Sequence, residues 1–390
     1  AYLDACRREY ERARSTADQL EGVGRASTLF VGGGTPSLVA PDKLARLIGA
    51  IDLERGAEVT VEANPEDVTE AWAKVMAAAG VNRVSLGVQS FDPVVLDSLG
   101  RRHAAASVRG AARAIAGAGI EHLSIDLIYG AAEESNASWQ ATLEAAVNLD
   151  PAPSHISAYA LTIEAGTPLA ADRRRHPDDD VQADRYEITD KLLSAGGLEW
   201  YEISNWARRG NECRHNLTYW RGGNYRGIGC AAHSHRDGRR WWNLRTPERY
   251  IAAIEEGQTV TAVAEQLSPT ERALELLELS LRTREGVPED AFGDRLGALV
   301  GDGLVSLRAA NGGGDGSGSG RSSGRRAVLT LRGRLLANEV ACALADGRPP
   351  EPVAEPGAKP GAEPGAEPGQ RKHQHQMQRD YPSRRHLPLS

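Results

Sequence analysis

The sequence predicts an α/β fold built on a parallel sheet. Short apolar segments alternate with helical segments from residue 11 to about residue 205, and Gly80, Gly119 and Gly196 follow three of the helical segments as stop signals. Such alternation produces parallel strands joined by right-handed crossovers, in an open sheet or in a barrel. The candidate strands carry apolar residues on both faces, which favours a sheet that is buried on both sides.

The predicted elements follow one another in chain order. The N-terminal segment, AYLDACRREYERARS, is typical of a charged amphipathic helix and not of a signal peptide. Asp67, Ser107 and Ser138 are the expected N-caps of later helices, because their side chains can accept hydrogen bonds from free backbone N–H groups. Six candidate strands lie at residues 28–31, 58–62, 83–86, 123–128, 155–161 and 200–204. Helices are predicted at residues 41–51, 70–79, 107–118, 139–148 and 181–195.

Changes in composition divide the chain into four parts. Residues 1–205 form the alternating core, and residues 206–265 form a loop-rich extension with few aliphatic side chains, which is more often functional than filler. Residues 266–346 predict a small C-terminal α+β domain of winged-helix-like type with a Gly/Ser insert at 311–326. Residues 347–390 contain AEPG repeats that cannot build a core, so we expect a disordered tail.

Composition also excludes several classes of function. The formal net charge of −7 at pH 7 argues against a nucleic-acid partner. No stretch is continuously apolar over the length of a transmembrane segment, while peripheral association with a membrane stays open. Cys6, Cys213, Cys230 and Cys342 are scattered singly, so no disulfide framework is predicted. These observations indicate a reduced, cytoplasmic protein.

The most informative motif is STLFVGGGTPS at residues 27–37, where an apolar strand runs into three glycines. Residues without a Cβ let a ligand approach the backbone, and ligands of α/β folds gather at the C-terminal ends of strands. A P-loop is excluded because Gly-Lys-Ser/Thr is absent, and no G-x-G-x-x-G opens a helix here. The run is therefore either a cradle for another ligand or a tight βα turn that needs glycine.

Polar residues stand at the ends of several other candidate strands, where packing does not require them. They include Glu62, Asn64, Gln89, Arg101 and Asp126. Each could be a surface or capping group when it is considered alone. Carboxylates and amides that converge on one edge are what a polar ligand site needs, so together with the glycines they favour such a site.

An ordered series of motifs spanning roughly residues 1–345 resembles one known family. The motifs are FVGGGTPS, VEANPE, NRVSLGVQSFD, LGRRH, IDLIYG, HISAYALTIEAGTPL, YEISNWA and RHNLTYW. In this order they resemble the HemW heme chaperones of the radical S-adenosylmethionine (SAM) superfamily, relatives of the oxygen-independent coproporphyrinogen III oxidases. The resemblance implies a partial (β/α)6 TIM-like barrel whose first strand is missing from this sequence.

The resemblance also implies a site for S-adenosyl-L-methionine. Gly33, Gly34 and Thr35 match the positions that contact the methionine end of this cofactor. Further cofactor-binding positions match Glu62, Gln89, Arg101 and Asp126. The residue types suit these roles, because glycine carbonyls can accept from an ammonium group and an arginine can pair with a carboxylate.

One departure from the family concerns its [4Fe–4S] cluster. Members carry a Cys-x3-Cys-x2-Cys loop after the first strand, and its thiolates hold the cluster. This sequence has no such motif, and Cys6 stands alone. The family's loop would lie just upstream of Ala1, so we expect a truncated sequence, with true loss of the cluster as the alternative. No metal ligand for the cluster is assigned within the sequence.

Heme ligands are sought in a stretch that contains Cys213, His215, Cys230, His233 and His235. The spacing matches no common structural zinc site. The family resemblance draws attention to His215 in RHNLTYW, since imidazole can bind heme iron and the adjacent aromatic residues can cover a porphyrin. His215 is the first heme candidate and His233 the second, while loop-structuring histidines are the alternative for both.

The resemblance implies a heme chaperone that binds heme and S-adenosylmethionine and delivers heme to acceptor proteins such as respiratory enzymes. YEISNWA and RHNLTYW favour this function. One alternative is an oxygen-independent coproporphyrinogen III oxidase, which decarboxylates porphyrinogen propionates in heme biosynthesis. Another is a cluster-less barrel that only binds S-adenosylmethionine.

Overall fold

The computed structural model describes residues 1–15, 23–101, 103–163, 166–309 and 324–345. Most of the predicted Gly/Ser insert and the whole tail predicted at 347–390 lie outside the described residues. Within the described ranges, no helix is both long enough and apolar enough to span a membrane.

A seven-stranded sheet forms the core and curls into a half-barrel, as the predicted fold class requires. Its first five strands are parallel neighbours in chain order. These strands are β1 (Ala26–Val31), β2 (Leu53–Ala63), β3 (Arg83–Gln89), β4 (His122–Tyr129) and β5 (His155–Ala160). All five lie close to the predicted segments, because each is an apolar-rich run bounded by turn or helix signals.

The far edge of the sheet differs from the expected pattern. The predicted sixth strand is present as β6 (Glu199–Glu202), but β7 (Asn205–Ala207) lies between it and β5. Because β7 is antiparallel to both neighbours, β6 still runs in the direction of β1–β5. A three-residue strand is too short to carry a periodic signal, so the sequence did not reveal β7.

Helices cover the outer side of the sheet. They are α1 (Tyr2–Ser15), α2 (Pro41–Ala50), α3 (Glu70–Ala78), α4 (Pro93–Ser98), α5 (Ala105–Gly117), α6 (Asn136–Val147), α7 (Pro168–Ala171) and α8 (Asp179–Ala195). The predicted N-caps are wrong by two or three residues. Helices α3, α5 and α6 are capped by Thr69, Ala104 and Ser135, and Ser138 instead completes a capping box with Ser135.

The strands have one apolar face and one polar face, so the expectation of apolar residues on both faces is wrong. Val59, Val61, Val84 and Leu86 belong to the core that packs under the helices. The residues that alternate with them, such as Ser85, line the concave inner side. This two-residue period places polar groups inside the half-barrel.

Residues 206–265 contain more regular secondary structure than the loop-rich extension that the sequence predicts. A short helix, α9 (Arg214–Trp220), precedes an antiparallel sheet of three strands. These strands are β8 (His233–Arg236), β9 (Arg239–Asn243) and β10 (Thr261–Gln266), with α10 (Pro247–Glu255) between the last two. The buried Glu9 of α1 joins this region to the barrel, because its carboxylate accepts from Gly229 N at 2.8 Å and Tyr250 Oη at 2.6 Å.

The C-terminal region has the predicted α+β composition. A three-stranded antiparallel sheet packs with helices around Leu281, Phe292 and Val340. Its elements are α11 (Pro269–Leu281), β11 (Val287–Pro288), α12 (Leu296–Gly301), β12 (Val305–Ala309), β13 (Arg325–Leu329), α13 (Leu331–Leu335) and α14 (Ala337–Ala345). The guanidinium of Arg334 ties this region to the barrel by pairing with Asp190 at 2.8 Å.

Candidate functional site

The inner side of the half-barrel is a narrow cavity lined by both polar and aromatic side chains. It has a volume of about 50 Å³, which is enough for a few water molecules. Side chains from five parallel strands face it, and α9 closes its lower end. The strand residues that line it include Thr60, Glu62, Ser85, Ser124, Asp126, Ser157 and Tyr159. Hydroxyl and carboxylate groups therefore lie beside the aromatic rings of Phe30, Tyr219 and Trp220, which line the same cavity.

We call the loop after β1, together with Glu62 and Gln89 at the ends of β2 and β3, the rim. In this loop Gly33 and Gly34 are exposed and have φ angles of 83° and 77°, which favour glycine. A Cβ added to Gly32 would lie 2.7 Å from Glu62 Oε2. The backbone at Gly32 thus lies so close to the buried carboxylate of Glu62 that a residue with a Cβ would not fit there.

Asp126 and Glu62 place two carboxylates on the same inner surface. The Asp126 carboxylate accepts from Ser85 Oγ at 2.7 Å. Burial raises the pKa of Asp126, and the hydroxyls of Ser85 and Ser157 offset part of that rise by hydrogen bonding. A carboxylate surrounded by hydroxyls is suited to hydrogen-bond a polar ligand that enters from the rim.

Gln89 occupies a strained backbone position at the end of β3. Its φ angle is 63°, in the left-handed region that non-glycine residues rarely adopt. The pairing of β3 with β4 shifts register between Gly87 and Gln89, and a Cβ on Gly87 would lie 3.0 Å from the Gln89 amide nitrogen. This bulge turns the Gln89 side chain back over Gly87, and such bulges are frequent beside functional sites.

The remaining sequence-predicted cofactor residues lie near the rim with different exposure. Thr35 is half-buried and directly precedes a short 3₁₀ helix at Pro36–Leu38. Arg101 is exposed, follows α4, and does not line the cavity. Among the described residues, no hydrogen bond or ion pair engages the Arg101 side chain. The structure therefore brings Gly32–Thr35, Glu62, Gln89 and Asp126 together and leaves Arg101 at the periphery.

The opposite end of the cavity, which we call the base, consists of Glu58, Arg83 and the segment 211–220. Arg83 begins β3 and forms a buried ion pair with Glu58 at 3.2 Å. The Glu58 carboxylate also accepts from the backbone N–H groups of Arg214 at 3.2 Å and His215 at 3.0 Å. These contacts fix the start of α9 against the sheet, where the carboxylate complements the free N–H groups of the helix.

His215 points into the base and has both ring nitrogens engaged. Thr28 Oγ1 lies 2.9 Å from Nδ1, and Tyr219 Oη lies 2.9 Å from Nε2. The ring also stacks on Phe30 with centroids 5.2 Å apart. Burial lowers the pKa of His215 to about 4, so the imidazole is neutral at pH 7. Iron could reach a ring nitrogen only after one of these hydrogen bonds had broken.

His233 lies outside the barrel, on the three-stranded sheet of β8, β9 and β10, which we call the small sheet. It is half-buried, and its ring stacks on Trp242 with centroids 5.6 Å apart and an interplanar angle of 22°. His235 is buried, with Nδ1 2.9 Å from Gly223 O and Nε2 accepting from Gly238 N at 3.2 Å. His235 therefore acts as a loop-structuring residue, whereas His233 belongs to a more open surface.

The described cysteines do not form a metal centre. Cys6 and Cys213 are buried, Cys230 is half-buried and Cys342 is exposed. Across the described ranges, no three Cys, His, Asp or Glu side chains come close enough together to hold a metal ion. These residues do not fit a [4Fe–4S] cluster, and we derive no chemistry through one.

Comparison with known proteins decides the family. The family model of the radical SAM superfamily matches residues 7–146. Heme chaperone HemW of Mycobacterium tuberculosis H37Rv is 40% identical over 355 residues, which cover 88% of this chain and 86% of that protein. This chain belongs to the HemW family. The superfamily implies S-adenosylmethionine and a [4Fe–4S] cluster as cofactors.

Other HemW proteins support the same conclusion, and one solved structure shows the same fold. Heme chaperone HemW of Bacillus subtilis is 33% identical over 80% of this chain and 84% of that protein. The corresponding Escherichia coli protein is 35% identical over 72% of this chain and 77% of that protein. The coproporphyrinogen III oxidase HemN of Escherichia coli shares the fold, with a TM-score of 0.71, 21% identity, and coverage of 88% of this chain and 82% of that one.

Sequence reasoning missed most residues of this HemW-type cavity. Ser85, Ser124 and Ser157 line it, and Glu58 and Arg83 close its base. The available signal was the alternation of polar and apolar residues in segments such as EVTVE at 58–62 and RVSLG at 83–87, which places the polar residues on one face of the strand. The contact of Glu58 with α9 had no signal, because its partners are more than 150 residues away in sequence.

Proposed function

We propose that this protein is a heme chaperone that binds S-adenosylmethionine at the rim and transfers heme to acceptor proteins such as respiratory enzymes. The observation that carries the proposal is the 40% identity to a protein named heme chaperone HemW over 88% of this chain. Similarity of this extent over barrel, extension and C-terminal region favours a shared function. The fold likeness to HemN does not favour the oxidase, because at 21% identity it concerns architecture alone.

The rim supports the cofactor part of the proposal. In this superfamily S-adenosylmethionine supplies radical chemistry when it is bound. The exposed carbonyl groups of Gly33 and Gly34 can accept from its ammonium group, and Arg101 can pair with its carboxylate. Glu62, Asp126 and Gln89 then lie beside the loop as hydrogen-bonding groups for its ribose and base.

Heme must bind outside the cavity or rearrange its base. A volume of about 50 Å³ does not admit a porphyrin. His215 and His233 remain the two candidate ligands, and their surroundings differ. His215 must give up a hydrogen bond to Thr28 or Tyr219 before it can bind iron, whereas His233 already lies on the open small sheet.

Titration with hemin tests the proposal. We expect a shifted and sharpened Soret band for the wild-type protein, and a different band for whichever of His215→Ala and His233→Ala removes the iron ligand. His176→Ala changes an exposed histidine and should leave the band unchanged. Failure of the wild-type protein to bind hemin would contradict the proposal. Decarboxylation of coproporphyrinogen III by the reconstituted protein would replace it with the oxidase.

A further inference from the structure

Two cysteines from distant parts of the chain meet where α1 packs against the extension at residues 206–265. Cys6 lies on α1 and is buried, whereas Cys230 lies in the turn before β8 and is half-buried. Both contribute to the same apolar cluster, which also contains Tyr250. They are scattered singly in the sequence, so only the fold brings them together.

One hydroxyl group contacts both sulfur atoms. Tyr2 Oη lies 3.3 Å from Cys230 Sγ and accepts a hydrogen bond from the Cys230 backbone N–H at 3.1 Å. The same hydroxyl forms a hydrogen bond with the Cys6 thiol. The two sulfurs are therefore both within hydrogen-bonding distance of a single oxygen atom.

The backbone segments that carry the two cysteines are also held together. Glu9, one turn after Cys6 on α1, accepts from Gly229 N at 2.8 Å, and Gly229 directly precedes Cys230. A Cβ added to Gly229 would lie 3.6 Å from Cys6 Sγ. The turn and α1 thus approach each other closely, which is the first requirement for a disulfide.

The two thiols differ in their access to an oxidant. Burial raises the pKa of Cys6 to about 11, so this thiol is protonated at neutral pH. Cys230 is half-buried and is the sulfur that a small oxidant in solution reaches first. The Tyr2 hydroxyl must move aside before the sulfurs can meet, and its half-buried side chain lies at the first residue of α1.

We propose that Cys6 and Cys230 are an oxidant-responsive pair, which a hydroperoxide converts into a disulfide between α1 and the extension. The Cys230 sulfur attacks the peroxide, the O–O bond breaks, and a sulfenic acid and an alcohol result, or water when the oxidant is hydrogen peroxide. The Cys6 sulfur then forms the S–S bond, and the displaced hydroxide leaves as water with the Cys6 proton. The thiols lose two electrons and two protons, which the peroxide gains.

The disulfide would add a covalent link to a junction that Glu9 already holds by hydrogen bonds. It would tie α1 to the turn that leads into β8, shortly before His233. The inference does not depend on heme or S-adenosylmethionine binding, because it concerns only the two thiols and the contacts around them.

Treatment of the Cys342→Ser protein with hydrogen peroxide tests the proposal. Cys342 is exposed, so its replacement prevents disulfides between molecules and leaves the other three cysteines in place. After oxidation, free thiols are labelled with N-ethylmaleimide in denaturant and the digested protein is analysed by mass spectrometry. We expect a peptide pair that joins Cys6 to Cys230 and a label on Cys213 alone. Dithiothreitol should restore labelling of all three thiols.

A second variant provides the matched control. Cys230→Ser in the same background keeps the buried thiols of Cys6 and Cys213, and after peroxide treatment we expect both to be labelled and no linked peptides to form. In the Cys342→Ser protein, three thiols that stay free, oxidation of Cys230 without a bond to Cys6, or a disulfide that includes Cys213 would each contradict the proposal.

Discussion

The rim and the base of the half-barrel differ in how far the protein itself satisfies their polar groups. At the base, the carboxylate of Glu58 contacts Arg83 and two backbone N–H groups, and both ring nitrogens of His215 are engaged. At the rim, Gly33 and Gly34 are exposed, and Gln89 is held in a strained conformation. The comparison indicates that the base maintains the fold, whereas the rim is prepared for a ligand.

This difference matters for any variant of His215. The residue is a heme candidate, but both of its ring nitrogens and the neighbouring Glu58 carboxylate are already engaged by the protein. Loss of heme binding in a His215 variant therefore has two explanations, removal of an iron ligand and loosening of α9. A measurement of stability must accompany each binding measurement at the base.

The largest expected effect is at the buried ion pair of the base. Arg83→Met leaves the Glu58 carboxylate buried without its cationic partner, and such changes cost about 3–5 kcal/mol. We expect this loss in the free energy of unfolding, measured by urea denaturation. Arg55→Met removes an exposed arginine from β2 and should stay within about 0.5 kcal/mol of wild type. A loss below about 1 kcal/mol for Arg83→Met would remove the distinction between base and rim.

A smaller effect concerns the pH dependence of stability at the base. Because the pKa of His215 is about 4 in the folded protein and near 6.5 when unfolded, the unfolded state binds a proton first as the pH falls. Stability is therefore fully present above pH 6.5 and is lost toward pH 4, by at most about 3 kcal/mol from this residue. His215→Asn should lose less stability than wild type between pH 7.5 and pH 4.5.

The exposed His176 provides the control for that measurement. His176→Asn should show the same pH dependence as wild type, because this residue is not enclosed by the fold. If His215→Asn also matches wild type across this range, the imidazole is not held neutral by burial, and the description of the base is wrong.

The sequence carried more information about the rim than about the base. The glycine run and the polar residue at each strand end are local signals, because they lie within or beside a single strand. The sequence predicted helix N-caps less well than the rim. Asp67 and Thr69 can both cap a helix, and the choice of Thr69 depends on tertiary packing.

The base could not be predicted in the same way. Glu58 reads as one polar position of an alternating strand, and its partners Arg214 and His215 come from a helix far along the chain. β7 was hidden because three residues carry no periodicity. Contacts that depend on tertiary folding leave no local pattern, whereas ligand-facing loops are marked by unusual residue types.

The most direct test of the comparison is a variant that separates binding from stability. Gln89→Gly removes the side chain from the rim and relieves the φ angle of 63°. We predict at least tenfold weaker binding of S-adenosylmethionine by calorimetry, together with a free energy of unfolding that rises by about 1 kcal/mol. Unchanged affinity, or a loss of stability in place of the gain, would contradict the account of the rim as a site strained for its ligand.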